Sequence, residues 1–166
     1  MSAHRVWAYG DNVNTDVIFP GKYTYTLKTP ADIAAHALED LDPAFAAKVR
    51  PGDVIVAGRN WGCGSSREQA VTALKYAGIV AILAESFAGL YFRNCINQGI
   101  LPVVVPGLRA LVQTGDEIEI DRAANMVTAR GQTFTMPALP PSVRAILDSG
   151  GLIEMLARRF EAQKEG

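Results

Sequence analysis

Apolar positions along this chain follow three patterns. The segments 53–57, 79–84 and 101–105, continuously apolar apart from Asp53, suit strands buried on both faces. Between the first two, Val71, Leu74 and Ala77 keep a helical period that stops at Gly78. Between the second and third, Phe87, Leu90, Tyr91 and Asn94 share one helical face, with Ser86 as its N-cap and an end near Gly99; Cys95 is expected to face the core. The stretch 53–105 therefore predicts strand–helix–strand–helix–strand, hence a mostly parallel sheet with right-handed crossovers. Beyond residue 115 the pattern alternates, in 116–121, 125–129 and 132–136, as an antiparallel meander should.

The flanks are less regular. Residues 4–9 predict a first strand, broken by Gly10-Asp11-Asn12. Residues 14–21 predict a brief strand or a loop held by Asx turns. Residues 22–30 read as an exposed strand or a polar loop, and 31–48 as two short helices broken near Asp42-Pro43. His4 and His36 are expected at the surface. A helix should follow Pro140-Pro141, and Leu152, Met155, Leu156 and Phe160 mark a last amphipathic helix whose tail frays from Glu161. With no repeat or linker, the expectation is one α/β domain over 1–166, mixed β/β/α, a partly parallel sheet joined to antiparallel, barrel-like strands.

The chemistry concentrates in the turn after the first apolar run, Gly58-Arg59-Asn60-Trp61-Gly62-Cys63-Gly64-Ser65-Ser66-Arg67-Glu68-Gln69-Ala70. Glycines let the backbone turn tightly and let a ligand approach its amides. Ser65 and Ser66 stand where N-caps belong, with Glu68 and Gln69 placed as in a capping box. The helix end and the guanidinium of Arg67 would then face an anion, carboxylate or phosphate. The spacing is neither the dinucleotide fingerprint nor a Walker loop, and glycine-rich turns also cap helices that bind nothing. Asp16 either closes an Asx turn or points into the site and orients another polar group.

Composition narrows the classes. The chain has 166 residues, 49% of them hydrophobic, and a formal charge of −1, which gives no basic field for nucleic acid. No stretch approaches the roughly 18 apolar residues of a membrane span, and residues 1–9 show no apolar signal segment. Two cysteines, Cys63 and Cys95, are too few for a disulfide framework or for an iron–sulfur cluster held by this chain alone. A reduced, cytoplasmic setting is expected.

Three motifs in order carry a resemblance that covers nearly the whole chain. Gly62 to Ala70 resembles the signature of the aconitase-superfamily swivelling domain. Asn14-Thr15-Asp16-Val17-Ile18-Phe19-Pro20 resembles that family's second motif, with Asn14 in place of the usual first Asp. Phe87 to Pro102, ending Gly99-Ile100-Leu101-Pro102, resembles its third. The length is similar to that of stand-alone small subunits of the isopropylmalate dehydratase type. The resemblance implies a large partner subunit carrying a 4Fe–4S cluster, and no cofactor in this chain. It implies reversible dehydration of a 2-hydroxy di- or tricarboxylate, with Ser65 as the base that moves a carbon-bound proton and Ser66 and Arg67 on a substrate carboxylate. It places Asp16 and the loop after it at the substrate's variable arm. A serine is a poor base unless its alkoxide is stabilised, and hydroxide departure needs a Lewis acid that the partner would supply. This chain alone is therefore expected to be inactive.

Substrate choice is read from 22–30. Homoaconitase-like relatives carry an Arg where this chain has Tyr25, so an apolar or short arm is expected over a second carboxylate, although Lys22 or Lys28 lies near enough in sequence to supply a cation. Isopropylmalate is the first expectation; dimethylmalate, citramalate and homoaconitate are alternatives. Two further readings stand beside it: a non-catalytic anion-binding module, and a domain that self-associates when isolated. Cys63 is either a small packing residue or a residue near the cluster's mouth.

Overall fold

A computed structural model describes residues 2–165. Seven strands form one sheet: β1 (Ser2–Ala8), β2 (Val54–Ala57), β3 (Ala81–Ala84), β4 (Leu101–Val104), β5 (Glu117–Asp121), β6 (Met126–Ala129) and β7 (Gln132–Thr135), in the order β4-β3-β2-β1-β5-β6-β7. The β1 to β4 half is parallel, and β1 turns the sheet antiparallel by pairing Ser2 with Ile120 and His4 with Ile118. The β5–β6–β7 meander continues from there. The expected α/β class, part parallel and part antiparallel, is what is found.

The sheet buries both faces. On one, Trp7, Ile55, Ala57, Ile82 and Ala84 meet the helices α1 (Thr15–Ile18), α2 (Pro30–Ala35), α4 (Gln69–Ala77) and α5 (Gly89–Gln98), with the short α3 (Phe45–Lys48) contributing Phe45. On the other, Val6, Val54, Val56, Leu83 and Val103 meet Ile118, Ile120 and Val127 of the meander, where the sheet curls over on itself. There α6 (Leu108–Leu111) and α7 (Pro141–Asp148) supply Leu108 and Leu147. Each such fully buried aliphatic side chain contributes about 2 kcal/mol through burial. This is why the runs at 54–57 and 81–84 are apolar at every position: neighbouring residues serve different cores.

Asp53 fastens the sheet at the start of β2. Its Oδ2 accepts from Arg5 Nη2 (2.7 Å), Trp7 Nε1 (2.9 Å) and the Arg50 amide (2.9 Å). Burial alone would raise its pKa, but the bonds from Arg5, Trp7 and Arg50 outweigh it and hold the carboxyl below the usual range.

Both crossover helices stop where expected. Gly78 (φ 104°) and Gly99 (φ 86°) take the left-handed conformation and return their N–H groups to the last turn of α4 and α5. Several starts differ from expectation. Residues 14–21 form no strand: α1 is one helical turn capped by Asn14 Oδ1, which accepts from the Val17 amide at 2.9 Å. Residues 21–26 form a 3-10 turn and a further turn, not an exposed strand. Ser86 does not cap α5, which begins at Gly89; its Oγ accepts from the Asn60 amide instead. Leu90 is 55% exposed, so only Tyr91, Cys95 and Ile96 form the buried stripe of α5. Residues 161–165, where fraying is expected, continue α8 (Leu152–Glu165) through good helix formers, and Gly166 lies outside the described residues.

Candidate active site

The turn after β2 is shaped by close approach. Gly62 has φ 79°, and a Cβ there would strike the Tyr91 ring of α5. Tyr91 is buried, and its hydroxyl donates to the Ala70 carbonyl at 2.8 Å, so it joins α5 to the first turn of α4. Burial pushes its phenol well above the ordinary value, which keeps that donor protonated. Gly64 has φ 94°. Between these glycines Cys63 bridges Asn14 as an isolated parallel pair, and its carbonyl accepts from the Thr15 amide at 2.8 Å.

That attachment corrects one expectation. Ser65 and Ser66 do not cap α4: the helix begins at Gln69, its N-cap position is Glu68, and no side chain caps it. Thr15 Oγ1 donates to the Ser65 carbonyl at 2.7 Å. Pinned at Cys63 and Ser65 to the start of α1, the chain cannot enter helical geometry until it has passed Arg67. The serines are held ahead of the helix, exposed.

Arg67 is the best-held side chain of the group. Its Nη2 donates to the Phe19 carbonyl at 2.8 Å and lies 3.4 Å from Asp16 Oδ1, which also accepts from the Gly21 amide at 2.8 Å. Its Nη1 is buried with no hydrogen-bond partner. Such an orphaned donor costs about 1–3 kcal/mol unless an acceptor reaches it. Asp16 thus contacts both the Arg67 guanidinium and the Gly21 amide, and it does not itself line the cavity beside Arg67. The side chain of Asp16 is 75% exposed, that of Arg67 20%.

A cavity of about 160 Å³ opens here, lined among others by Thr15, Gly64, Ser66, Arg67, Tyr91 and Asn94. Asn94 Nδ2 reaches Ser66 Oγ at 3.4 Å. Of the residues expected at the site, Ser66 and Arg67 line this cavity. Ser65 lies next to it in the chain, and Asp16 stands behind Arg67. Tyr25 is 88% exposed and is not brought to the cavity. Thr15, Tyr91 and Asn94 were not anticipated as lining residues. The third motif contains both Tyr91 and Asn94, and the second contains Thr15, so only their convergence was hidden.

The 21–26 turns lean on the same group. Gln69 Nε2 donates to the Thr24 carbonyl at 3.2 Å. Tyr23 packs against His36 with ring centroids 4.3 Å apart and the rings tilted by 37°, and His36 Nδ1 lies 2.6 Å from Glu39 Oε2. His36 is thus half-buried in a network and not a free surface histidine. Lys22 Nζ lies 4.0 Å from Glu39 and over the Tyr23 ring at 5.1 Å, and Lys22 does not line the cavity. Desolvation pulls the Glu39 carboxyl up, but the hydrogen bonds from His36 and Tyr23 prevail and lower its pKa.

Among the described residues no group of three His, Cys, Asp or Glu side chains could hold a metal. Cys95 is sealed in the core, where burial pushes its thiol far up, and Cys63 is half-buried. These residues do not fit an iron–sulfur cluster.

Residues 11–107 match the aconitase C-terminal domain family. This chain belongs to that family. A 3-isopropylmalate dehydratase small subunit from Thermodesulfovibrio yellowstonii is 41% identical, with 96% of this chain and 95% of that protein covered. A methanogen homoaconitase small subunit from Methanothermobacter thermautotrophicus is 48% identical over 98% and 94%. A 2,3-dimethylmalate dehydratase small subunit from Eubacterium barkeri is 41% identical over 91% and 93%. The crystal structure of 3-isopropylmalate dehydratase from Methanocaldococcus jannaschii superposes with a TM-score of 0.90 at 41% identity, covering 99% of this chain and 98% of that one. The fold of this family member is therefore that of a dehydratase small subunit. No helix of the described residues is long and apolar enough to cross a membrane.

Proposed function

We propose that this chain, one swivelling domain over 1–166, is the small subunit of a two-subunit hydro-lyase that interconverts 2-isopropylmalate and 3-isopropylmalate, a step toward leucine. The observation that carries the reading is Arg67. It is a guanidinium oriented by Asp16 and the Phe19 carbonyl, its Nη1 buried without an acceptor, on a cavity it shares with Ser66. A substrate carboxylate gives Nη1 its acceptor and takes a second bond from the Ser66 hydroxyl.

In dehydration the carbon-bound proton passes to Ser65 Oγ while hydroxide leaves the adjacent carbon; rehydration reverses both transfers. Ser65 is held for this by its backbone, through Thr15, and Arg67 two residues on supplies the positive charge that an alkoxide needs. The acid that assists hydroxide departure falls to the large subunit, to which we also assign the 4Fe–4S cluster, since the two thiols of this chain are not placed to hold one. Leu90 on α5 and Tyr25 are exposed apolar side chains that a large subunit would cover. Two unpaired cysteines fit a cytoplasmic setting.

For the variable arm, Tyr25 offers no charge and Lys22 is engaged by Glu39 and Tyr23, which favours an apolar substituent. The 48% identity to a homoaconitase small subunit favours a second reading, in which the arm ends in a carboxylate that Lys28 reaches. The test is coexpression with a cluster-bearing large subunit and an anaerobic panel of isopropylmalate, dimethylmalate, citramalate and homocitrate, alongside Ser65→Ala. Isopropylmalate should turn over best, and Ser65→Ala should abolish turnover with assembly intact. Full activity in the Ser65→Ala complex would remove the catalytic assignment, and preference for homocitrate would replace the substrate.

A further inference from the structure

A larger cavity, of about 310 Å³, lies away from Ser66 and Arg67, at the free edge of β4. Its apolar wall is Phe92 of α5, Leu101 and Val103 of β4, and Met136 and Leu139 beyond β7. Arg122, from the β5–β6 turn, and Arg144 and Asp148 of α7 stand around it. The volume sits at the lower end of the range of about 300–1,000 Å³ that small-molecule sites occupy.

The charges are not self-cancelling. Arg144 and Asp148 are one helical turn apart on α7 and would ordinarily pair. Asp148 instead pairs with Arg122 at 3.1 Å, across the gap between the meander and the helix. Arg144 forms no ion pair among the described residues. The cavity thus joins an aliphatic wall to one uncompensated guanidinium.

The edge itself argues against a peptide strand. The amides of Leu101 and Val105 point to β3, donating to Val80 and Ala84. By alternation the outward positions are 102 and 104, and Pro102 has no N–H to offer. A four-residue edge interrupted by proline is a poor template for strand addition. It leaves a small ligand as the better fit.

We propose that this cavity binds a short aliphatic carboxylate, its carboxyl group on Arg144 and its hydrocarbon tail against Leu101, Val103, Met136 and Leu139. The proposal is independent of the dehydratase reading, because it uses none of the residues assigned to that reaction. Phe92 faces this cavity, whereas Tyr91 and Asn94 of the same helix line the first.

The test is titration of the ¹⁵N-labelled full-length chain with 4-methylpentanoate and, separately, with 4-methylpentan-1-ol, which keeps the tail and removes the charge. Amide shifts at Phe92, Leu101, Val103 and Met136 should saturate with the acid. The alcohol should bind about tenfold more weakly, the scale of one charge-assisted contact. Arg144→Gln, at an exposed position, should bring the acid down to the level of the alcohol and leave the alcohol unchanged. Equal binding of acid and alcohol, acid binding untouched by Arg144→Gln, or shifts confined to Ser66, Arg67 and Asn94 would each overturn the proposal.

Discussion

The hydroxyl of Thr15 donates to the backbone carbonyl of Ser65 at 2.7 Å, across fifty residues of sequence. A side chain from the first turn of α1 thereby sets the backbone of the residue proposed as the base. Replacing Thr15 by Val keeps the shape and removes the donor. One lost hydrogen bond of about 1 kcal/mol should lower kcat of the reconstituted complex about five- to tenfold. Substrate affinity and subunit assembly should hold. An unchanged kcat would show that Ser65 is positioned by something else.

Arg67 is read as a bidentate carboxylate clamp, so Arg67→Lys is not a conservative change there. The lysine keeps a charge and loses the fork that reaches both Phe19 and the cavity. Steady-state kinetics should show kcat/KM falling about a hundredfold, while a melt of the isolated subunit shows a smaller loss from the missing Phe19 contact. Equal kcat/KM in the two proteins would exclude the clamp.

The Asp53 cluster makes a pH prediction. The folded-state carboxyl pKa lies below that of an unfolded aspartate. Its stabilisation is therefore complete above the unfolded value, about 4, and is lost as pH falls through the lower folded value. Asp53→Asn should cost about 2 kcal/mol near pH 7 and lower Tm by roughly 6 °C. The gap between the two proteins should begin to narrow below about pH 4 and close as pH falls through the lower folded value. A gap that stayed constant down to pH 3 would mean that the charge on Asp53 contributes nothing.

Gly62→Ala tests the packing of the turn. The new methyl group meets the Tyr91 ring, and φ 79° is strained for any residue with a Cβ. A loss of about 3 kcal/mol or more is expected in denaturant titration. The companion Gly52→Ala, with positive φ but open space around it, should lose only about 1 kcal/mol.

Glu39 holds the 21–26 turns from behind through His36 and Lys22. Glu39→Gln should loosen them and narrow the preference among substrates that differ in their variable arm, with a larger change in KM than in kcat. Unaltered ratios across the substrate panel would separate these turns from specificity.

Much of the fold is legible in the sequence. The segments 53–57, 79–84 and 101–105 hold β2, β3 and β4, because burial on both faces leaves no polar position within the strands themselves, Val54–Ala57 among them. Gly78 and Gly99 ended their helices because only glycine takes positive φ there cheaply. The helix starts differ from local preference at Ser65, Ser66 and Ser86. Each serine is a good local N-cap, but Thr15 pins the Ser65 carbonyl, and Ser86 Oγ is taken by the Asn60 amide. Local preference is worth about 1 kcal/mol, and long-range contacts of similar size displaced each N-cap by two or three residues, to Glu68 and Ala88.

The sequence by itself determined the strands, the helix ends, the alternation of the meander and the short stretch where the chemistry lies, since each follows from a period or a turn within a few residues. Only the tertiary structure decided that β1 sits mid-sheet with parallel and antiparallel neighbours, that Asp16 and Phe19 hold Arg67, that Asn94 faces Ser66, and that Tyr25 stays outside the cavity. Those contacts join residues 28 to 118 positions apart, and no local propensity encodes a pairing whose energy exists only after both cores have closed.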